Sequence, residues 1–518
     1  MHTQDGGRNQ EISRAVERAA EVSGLPIYRN RSAALLTDLY QLTMMYGYFQ
    51  SGRHNQNVVF DMFYRTNPCG NGYVIAAGLE QVVWYLQNLR FTEEDVEYLR
   101  SLQMFSEEFL TELANFHFNG DLYAVPEGTV VFPHEPLLRF EGRIFEVQLL
   151  ESAVLSFVNH QSLIATKSQR IVDAARTDRR RPNAPVLEMG LRRSQNLDAS
   201  VFGARASIIG GCVGTSNVLA GQSFGIPVIG TQAHSWVQSF PDELESFRAF
   251  VRTFPEESVL LVDTYDVLRS GVPNAIKVAK ELENEGKRLK SIRIDSGDLA
   301  YLSKRARAML DAEGLSYVTI VASSDLDEST IRDLVIQGAE IDSWGVGTSL
   351  ITSQGCPALG GVYKLAAQEE NGRLEPRIKV SENASKVTNP GKKKVLRFVV
   401  DGQASADLIA LADEEINPHK PLELFHPVHT YKRKVISDFQ VTELLVPIYQ
   451  GGRLVYELPP LRSIREHAEA SQSQFSSEVL RPVNPHDYHV DLSLPLWDLK
   501  NQLIHRWRPA RSNPTNAW

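Results

Sequence analysis

The sequence predicts an α/β protein: an irregular, TIM-like β/α barrel with a flanking α+β domain and a small C-terminal module. Three observations lead there. Six short apolar runs, PVLEMGLRR, IPVIGTQAH, VLLVDTYD, SIRIDSGD, VTIVASSD and IDSWGVGTS, each end in a polar or glycine-rich turn. Amphipathic stretches such as AIKVAKELENEG and ESTIRDLVIQGAE separate several of them, the alternation that parallel strands with crossover helices require. Upstream, FEVQLLESAVLSFVNHQSLIATKSQRIVDAAR has apolar residues at three and four spacing with no proline or glycine, which predicts a long, largely buried helix.

In chain order, residues 1–30 form a polar extension. Asp5, Glu11, Glu17 and Glu21 and the lack of an apolar stretch there argue against a secretory or import signal, so a cytoplasmic location is expected. Residues 31–165 form the flanking domain: LLTDLYQLTMMYGYF is helix-like, VVFDMFYR strand-like, and VVFPHEPLLRFEG is punctuated by prolines. Residues 166–365 form the barrel. The chain from 366 to 518 is a module that completes the smaller domain. VYKLAAQEENGRLEPRIKVSE reads as a hairpin about Asn371-Gly372, and VLRFVVDGQASADLIALA repeats the device at Asp401-Gly402. Lys392, Lys393 and Lys394 read as a solvated loop, DYHVDLSLPLWDLKNQLI as a strand followed by a helix, and RPARSNPTNAW as a disordered tail.

Composition bounds the partners. With 518 residues, 42% hydrophobic and 23% charged, the chain is ordinary globular protein. A net charge of -9 disfavours nucleic acid and anionic membrane as partners, so an anionic ligand must meet a local arginine cluster. No window reaches the roughly 18 apolar residues of a membrane span. Cys69, Cys212 and Cys356 lie far apart without metal-type spacing and read as buried thiols of a reducing compartment.

In β/α barrels chemistry collects where strands end. Those ends hold Glu188, Arg192, His234, Asp263, Asp266, Arg293, Asp295, Asp298, Asp325 and Thr348. His234, in GTQAHSW, is either a packed histidine or a base, ligand or nucleophile. GVGTS (345–349) is either a bare strand-to-helix turn or a glycine turn that a phosphate can approach. In RIDSGDL, Asp295 and Asp298 suit sugar hydroxyls or a Mg²⁺-bound diphosphate, although Ser296 or Asp298 could simply cap the next helix. In EMGLRR, Arg192 and Arg193 offer planar forks for carboxylate or phosphate. No GxxxxGK[ST] and no convincing GxGxxG follows a strand, so Walker-type and dinucleotide sites lack support.

Taken together, LLTDLYQLTMMYGYF, PEGTVVFPHEPLL, EMGLRRSQ, GTQAHSW, DTYD, RIDSGDL, GVGTSLI, GGVYKL and KVSENASKVTNPGKKK resemble, in order and across about residues 35–395, the nicotinate phosphoribosyltransferase family of the wider group that includes the nicotinamide and quinolinate enzymes. The resemblance implies formation of nicotinate mononucleotide and pyrophosphate from nicotinate and phosphoribosyl pyrophosphate, with Mg²⁺ and coupled ATP hydrolysis. It implies that His234 is transiently phosphorylated, that Tyr40 stacks on the pyridine ring, and that Thr231 and Arg293 lie near nicotinate. It places Arg192 at phosphate or carboxylate, Asp295 at the ribose hydroxyls, Ser323, Asp325, Gly345, Gly347 and Thr348 around ribose and 5-phosphate, and Asp263 and Asp298 at Mg²⁺-diphosphate. It also implies a homodimer with Tyr40 near the interface. The nicotinamide enzymes carry an aspartate after a Gly-Thr pair where this chain has Ser216, and a neutral serine there favours nicotinate.

Two rival classes share the scaffold. A barrel isomerase or aldolase acting on a sugar phosphate would want a Schiff-base lysine at a strand end, and none is seen there. A non-catalytic scaffold protein would be expected to lack His234, Arg293 or Asp295, and all three are present.

Overall fold

A computed structural model of the chain describes residues 31–507, so the polar extension and the tail RPARSNPTNAW lie outside the described residues. The parallel sheet has six strands in the spatial order Gly214–Thr215, Val186–Glu188, Ser343–Val346, Thr319–Ala322, Ser291–Ile294, Val259–Leu261. Its first and last strands are edges among the described residues, so the irregular TIM-like barrel expected from the sequence is present as a curled parallel half-barrel. Five of the six apolar runs form its strands. The sixth, IPVI, does not: Val228 makes a single bridge to Thr215, and the strand in that place is Gly214–Thr215. Pro227 lacks an N–H and contributes only its carbonyl, which accepts from Thr215 N at 3.0 Å, and Val228 is 50% exposed where a buried strand was expected.

A seven-stranded sheet flanks the half-barrel. It runs Arg373–Pro376, Gly361–Glu370, Asn57–Tyr64, Leu138–Arg143, Asp121–Ala124, Val446–Gln450, Arg453–Leu454. Strands from both sides of the barrel segment therefore share one sheet. The two glycine hairpins form as expected: Asn371 and Gly372 have φ of 51° and 76°, Asp401 and Gly402 51° and 78°, the paired left-handed residues of a type I′ turn. Lys393 is a correction. It sits 2% exposed in the strand Lys393–Val400, its ammonium 2.7 Å from the buried Asp61 carboxylate, because the strand register turns it inward against the flanking sheet. The cysteine expectation also changes: Cys69 and Cys356 form a disulfide, and Cys212 alone is a buried thiol.

The long helix forms over Glu151–Arg176, preceded by the short helix Ile144–Leu149. It crosses from one core to the other. Val154, Phe157 and Val158 pack with Phe60, Phe109 and Phe140 of the flanking domain, whereas Ile164, Ile171 and Val172 pack with Leu260, Ile292 and Ile320 of the parallel sheet.

A buried ion pair pins the same junction. Arg205, on the helix Leu197–Ile209, is 1% exposed and grips Glu127 with two parallel bonds, Nη1 to Oε1 at 2.8 Å and Nη2 to Oε2 at 2.7 Å. Gln161 Oε1 accepts a further bond from Nη1 at 3.1 Å, and Glu127 Oε1 also accepts from Gly78 N at 2.6 Å. Burial alone would raise the Glu127 carboxyl, but the Arg205 charge and the Arg205, Gly78 and Glu80 hydrogen bonds outweigh it and hold it below its ordinary value.

Arg205→Ala, which leaves that carboxylate buried without a counter-charge, should lower stability by about 3–5 kcal/mol in denaturant unfolding at pH 7. Because the folded Glu127 carboxyl is depressed, the pair's contribution is complete above the unfolded glutamate range, about pH 4.3, and is lost as pH falls through and below it. The wild type should therefore lose more stability than the variant between neutral pH and pH 3.

Candidate active site

Parallel register sets three strand ends side by side: Leu261 pairs with Arg293, and Ala322 with Ile294. Arg293 is the hub. Its Nε donates to Ser323 Oγ at 2.7 Å, Nη1 to Thr231 Oγ1 at 2.9 Å and to Gln232 O at 3.4 Å, and Nη2 to Asp295 Oδ1 at 2.8 Å. Ser323 Oγ also donates to the same Asp295 oxygen. Four donor directions are thus taken by the protein and one Nη2 hydrogen is left for a ligand. Burial would raise the Asp295 carboxyl, but the Arg293 charge, the Ser323 and Arg293 hydrogen bonds and the nearby His234 outweigh it, so it lies below its ordinary value. Asp295 is ionised at neutral pH, with Oδ2 available.

His234 opens the short helix His234–Gln238, after a turn that Arg293 holds through Thr231 and Gln232. Its Nε2 lies 3.1 Å from Asp263 Oδ1, and its side chain is 41% exposed while that of Asp263 is 1% exposed. The second Asp263 oxygen accepts from Asp295 N at 3.0 Å and Ser296 Oγ at 2.6 Å. Asp263 therefore fixes the imidazole and joins the histidine to the Arg293–Asp295 group. Both of its oxygens are engaged by protein donors.

Glu188 was noted only as a strand-end residue. It is fully buried, its Oε1 accepts the Gly190 N–H, and its Oε2 accepts from Thr215 Oγ1 at 2.5 Å. It thereby holds the Arg192 turn and the Ser216 turn together, and Ser216 N adds a 2.9 Å bond to Glu188 O. Burial pushes its carboxyl up against the pull of those two hydrogen bonds. Arg192 and Arg193 lie exposed on the turn Leu191–Arg193, with no ion-pair partner among the described residues.

The remaining positions divide. Gly345, at the strand Ser343–Val346, is explained by packing, since a Cβ there would stand 2.7 Å from Met189 Sδ. Gly347 precedes the helix Thr348–Ile351, where Thr348 is half-buried. Asp325 is exposed just past the Thr319–Ala322 strand. Asp298 caps the helix Leu299–Ala312, with Oδ1 accepting from Tyr301 N at 2.9 Å, which leaves Oδ2 outside the cap bond. Asp266 likewise caps Val267–Gly271. Tyr40 is not brought to this group within one chain: it lies 47% exposed on the helix Leu39–Gln50, beside Glu151 and Ser152. No cluster of three or more His, Cys, Asp or Glu side chains among the described residues is arranged to hold a metal ion.

The arrangement can therefore bind an anion and ribose hydroxyls around Arg293 and Asp295, and it presents an oriented, partly exposed imidazole beside them. The chain is similar to known proteins over most of its length. The nicotinate phosphoribosyltransferase (NAPRTase) N-terminal domain matches residues 35–159, the NAPRTase family 185–393, and the NAPRTase C-terminal domain 392–500. A nicotinate phosphoribosyltransferase of Bacillus subtilis is 46% identical over 482 residues, covering 92% of this chain and 96% of the relative. That of Homo sapiens is 34% identical over 536 residues, covering 92% and 98%. The crystal structure of human nicotinic acid phosphoribosyltransferase superposes with a TM-score of 0.79 at 33% identity, covering 90% of this chain and 99% of that one. A nicotinate-nucleotide pyrophosphorylase from Pyrococcus furiosus, 24% identical with a TM-score of 0.64 over 86% and 96% of the two chains, shares the fold. With matches from residue 35 to residue 500 and relatives alike over nearly their whole length, the chain belongs to the nicotinate phosphoribosyltransferase family.

Proposed function

We propose that the chain transfers the ribose 5-phosphate group of phosphoribosyl pyrophosphate to the ring nitrogen of nicotinate, forming nicotinate mononucleotide and pyrophosphate, with ATP hydrolysis as a coupled drive. The observation that carries the reading is the Arg293 hub, which ties Thr231, Ser323 and Asp295 into one anion- and ribose-binding group beside the His234–Asp263 pair. Its setting in a chain 46% identical to a nicotinate phosphoribosyltransferase names the substrates.

The pyridine nitrogen has a free lone pair, so no general base is needed. Catalysis is positioning plus stabilisation of charge as the bond from ribose C1 to pyrophosphate breaks and an oxocarbenium-like carbon forms. Asp295 Oδ2 takes a ribose hydroxyl, the remaining Arg293 N–H faces the nicotinate carboxylate, and the unpaired Arg192 meets a phosphate. Ser323, Asp325, Gly347 and Thr348 surround the 5-phosphate end.

Mg²⁺ takes most of its ligands from diphosphate and water, so few protein carboxylates are needed. The Asp298 oxygen outside the cap bond fits that demand, with Asp263 as the second candidate carboxylate. The ion would neutralise the departing pyrophosphate.

Because Nε2 of His234 faces Asp263, Nδ1 is the nitrogen free to attack the terminal phosphate of ATP. An N–P bond forms, the bond to the ADP oxygen breaks, and Asp263 steadies the cationic ring. Leu36, Leu39, Tyr40 and Met44, all exposed on or beside one helix, support a homodimer in which Tyr40 is donated to the neighbouring site.

Product formation from labelled nicotinate with phosphoribosyl pyrophosphate and Mg²⁺, measured with and without ATP, tests the assignment. Wild type should form the mononucleotide with an ATP-dependent boost, and His234→Ala should keep basal turnover without the boost. Mononucleotide absent from both proteins would refute the activity, and a boost persisting in the variant would remove His234 from its role.

Ser216→Asp puts a carboxylate where nicotinate's own would lie. It should cut kcat/KM for nicotinate by roughly tenfold or more and narrow the gap to nicotinamide, read in a competition assay.

A further inference from the structure

The Cys69–Cys356 disulfide joins segments 287 residues apart in sequence, with Cα atoms 5.8 Å apart. Its two ends are anchored differently. Cys69 is exposed on the turn Pro68–Gly70, which is well tied: Tyr64 Oη donates to Asn67 Oδ1 at 3.1 Å, Asn67 Nδ2 to Gly72 O at 2.8 Å, and Arg170 to Asn71 Oδ1. Cys356 is 7% exposed in the segment 352–360, which leaves the helix Thr348–Ile351 and leads to the strand Gly361–Glu370. Gln354, Gly355, Pro357, Ala358 and Gly360 are exposed there. Its first residues are well tied: Thr352 N and Oγ1 donate to Thr348 O at 3.1 and 2.7 Å, Ser353 N to Leu350 O at 3.0 Å, Gln354 N to Ser349 O at 3.0 Å, Ser349 Oγ to Gln354 Oε1 at 2.9 Å and Lys167 Nζ to Gln354 O at 3.4 Å. Beyond Gln354 the ties thin out, with Cys356 N donating to Ser353 O at 2.8 Å.

The helix it leaves is one short step from the site. Gly347 and Thr348 begin it, and Ile351 ends it against the Arg192 turn, where a Cβ on Gly190 would stand 2.5 Å from Ile351 Cβ. The S–S bond therefore clamps to the flanking domain the thinly tied stretch between Gln354 and the buried Leu359.

We propose that Cys69 and Cys356 form a reversible thiol–disulfide modification site, with low-molecular-weight thiols and disulfides as co-reactants, that sets how firmly the Gly345–Ile351 turn and helix are held. The catalytic consequence rests on the reading of that turn as the 5-phosphate end of the site.

The exchange balances. The thiolate of one external thiol attacks the exposed Cys69 sulfur and forms a mixed disulfide. The Cys69–Cys356 bond breaks, its electron pair leaves on the Cys356 sulfur, and that sulfur takes a proton. A second external thiol resolves the mixed disulfide, releasing the Cys69 thiol and one low-molecular-weight disulfide. Two thiols thus give up two electrons and two protons, and the reverse reaction consumes the external disulfide. Cys212 does not compete: it is buried, and burial pushes its thiol up to about 12, so it stays protonated.

The test equilibrates the full chain with oxidised glutathione or with dithiothreitol and reads three quantities: native alkylation located by mass spectrometry, hydrogen exchange over residues 352–360, and KM for phosphoribosyl pyrophosphate. Dithiothreitol should make Cys69 and Cys356 alkylatable, speed exchange in that segment, and raise KM several-fold with kcat nearly unchanged. Cys69→Ser should show the reduced behaviour under both treatments. Free Cys69 and Cys356 thiols after oxidation would overturn the site, and equal exchange and KM in both states would overturn its effect. Alkylation and exchange need no turnover, so a chain that forms no mononucleotide fails the catalytic reading alone.

Discussion

The architecture depends on holding a half-barrel that is open at both edges against a separately built sheet, and the Arg205–Glu127 pair marks where that is done. Two charges are withdrawn from water there, which is costly unless every donor and acceptor is matched. Arg205 meets this with the bidentate grip on Glu127 and a bond to Gln161 of the long helix, while Glu127 takes a backbone N–H from Gly78 as well. An apolar contact at this position could slide. A planar fork fixes distance and angle together, which suits a junction whose misplacement would shift the Leu197–Ile209 helix and, with it, the Arg192 and Ser216 turns beside it.

The same economy of means shapes the site. Arg293 is set in place by four neighbours before any substrate arrives, and Asp263 connects the histidine to the carboxylate that Arg293 holds. Such preorganisation is where enzymatic charge stabilisation comes from, because dipoles already aligned need not reorient as the bond breaks. Glu188 extends the scheme one layer deeper, tying the Gly190 turn to Thr215.

Much of this was readable because it is local. Asn371-Gly372 and Asp401-Gly402 announce hairpins through their own backbone preferences, and five strands announce themselves by apolar runs ending at polar turns. What stayed hidden is what the third dimension decides. The Ile226–Ile229 run has a strand's composition, yet it forms only one bridge at the edge of the parallel sheet. The link from Asp263 to His234, Asp295 and Ser296 is likewise invisible along the chain, since it is the register with Ser291–Ile294 that brings these strand ends together. Lys393 sits in a lysine run that reads as solvent-facing, but its strand pairs with Gln403–Leu411 in a separate sheet and its side chain is buried on Asp61 of the flanking sheet. Cys69 and Cys356 carry no spacing signal because 287 residues separate them.

The seven-stranded sheet has a consequence for how the chain is made. Asn57–Tyr64 lies inside that sheet, paired on one side with Leu138–Arg143 and on the other with Gly361–Glu370. During synthesis the second partner follows roughly 300 residues later, which at about 5–20 residues per second is on the order of 15–60 s of waiting. For that time an apolar strand, VVFDMFY, offers a bare backbone edge while the whole parallel sheet is still being extruded. A nascent chain with such an edge is a substrate for chaperones and for its own copies, so crowded translation of this protein selects for early shielding of one strand as strongly as for the stability of the finished fold.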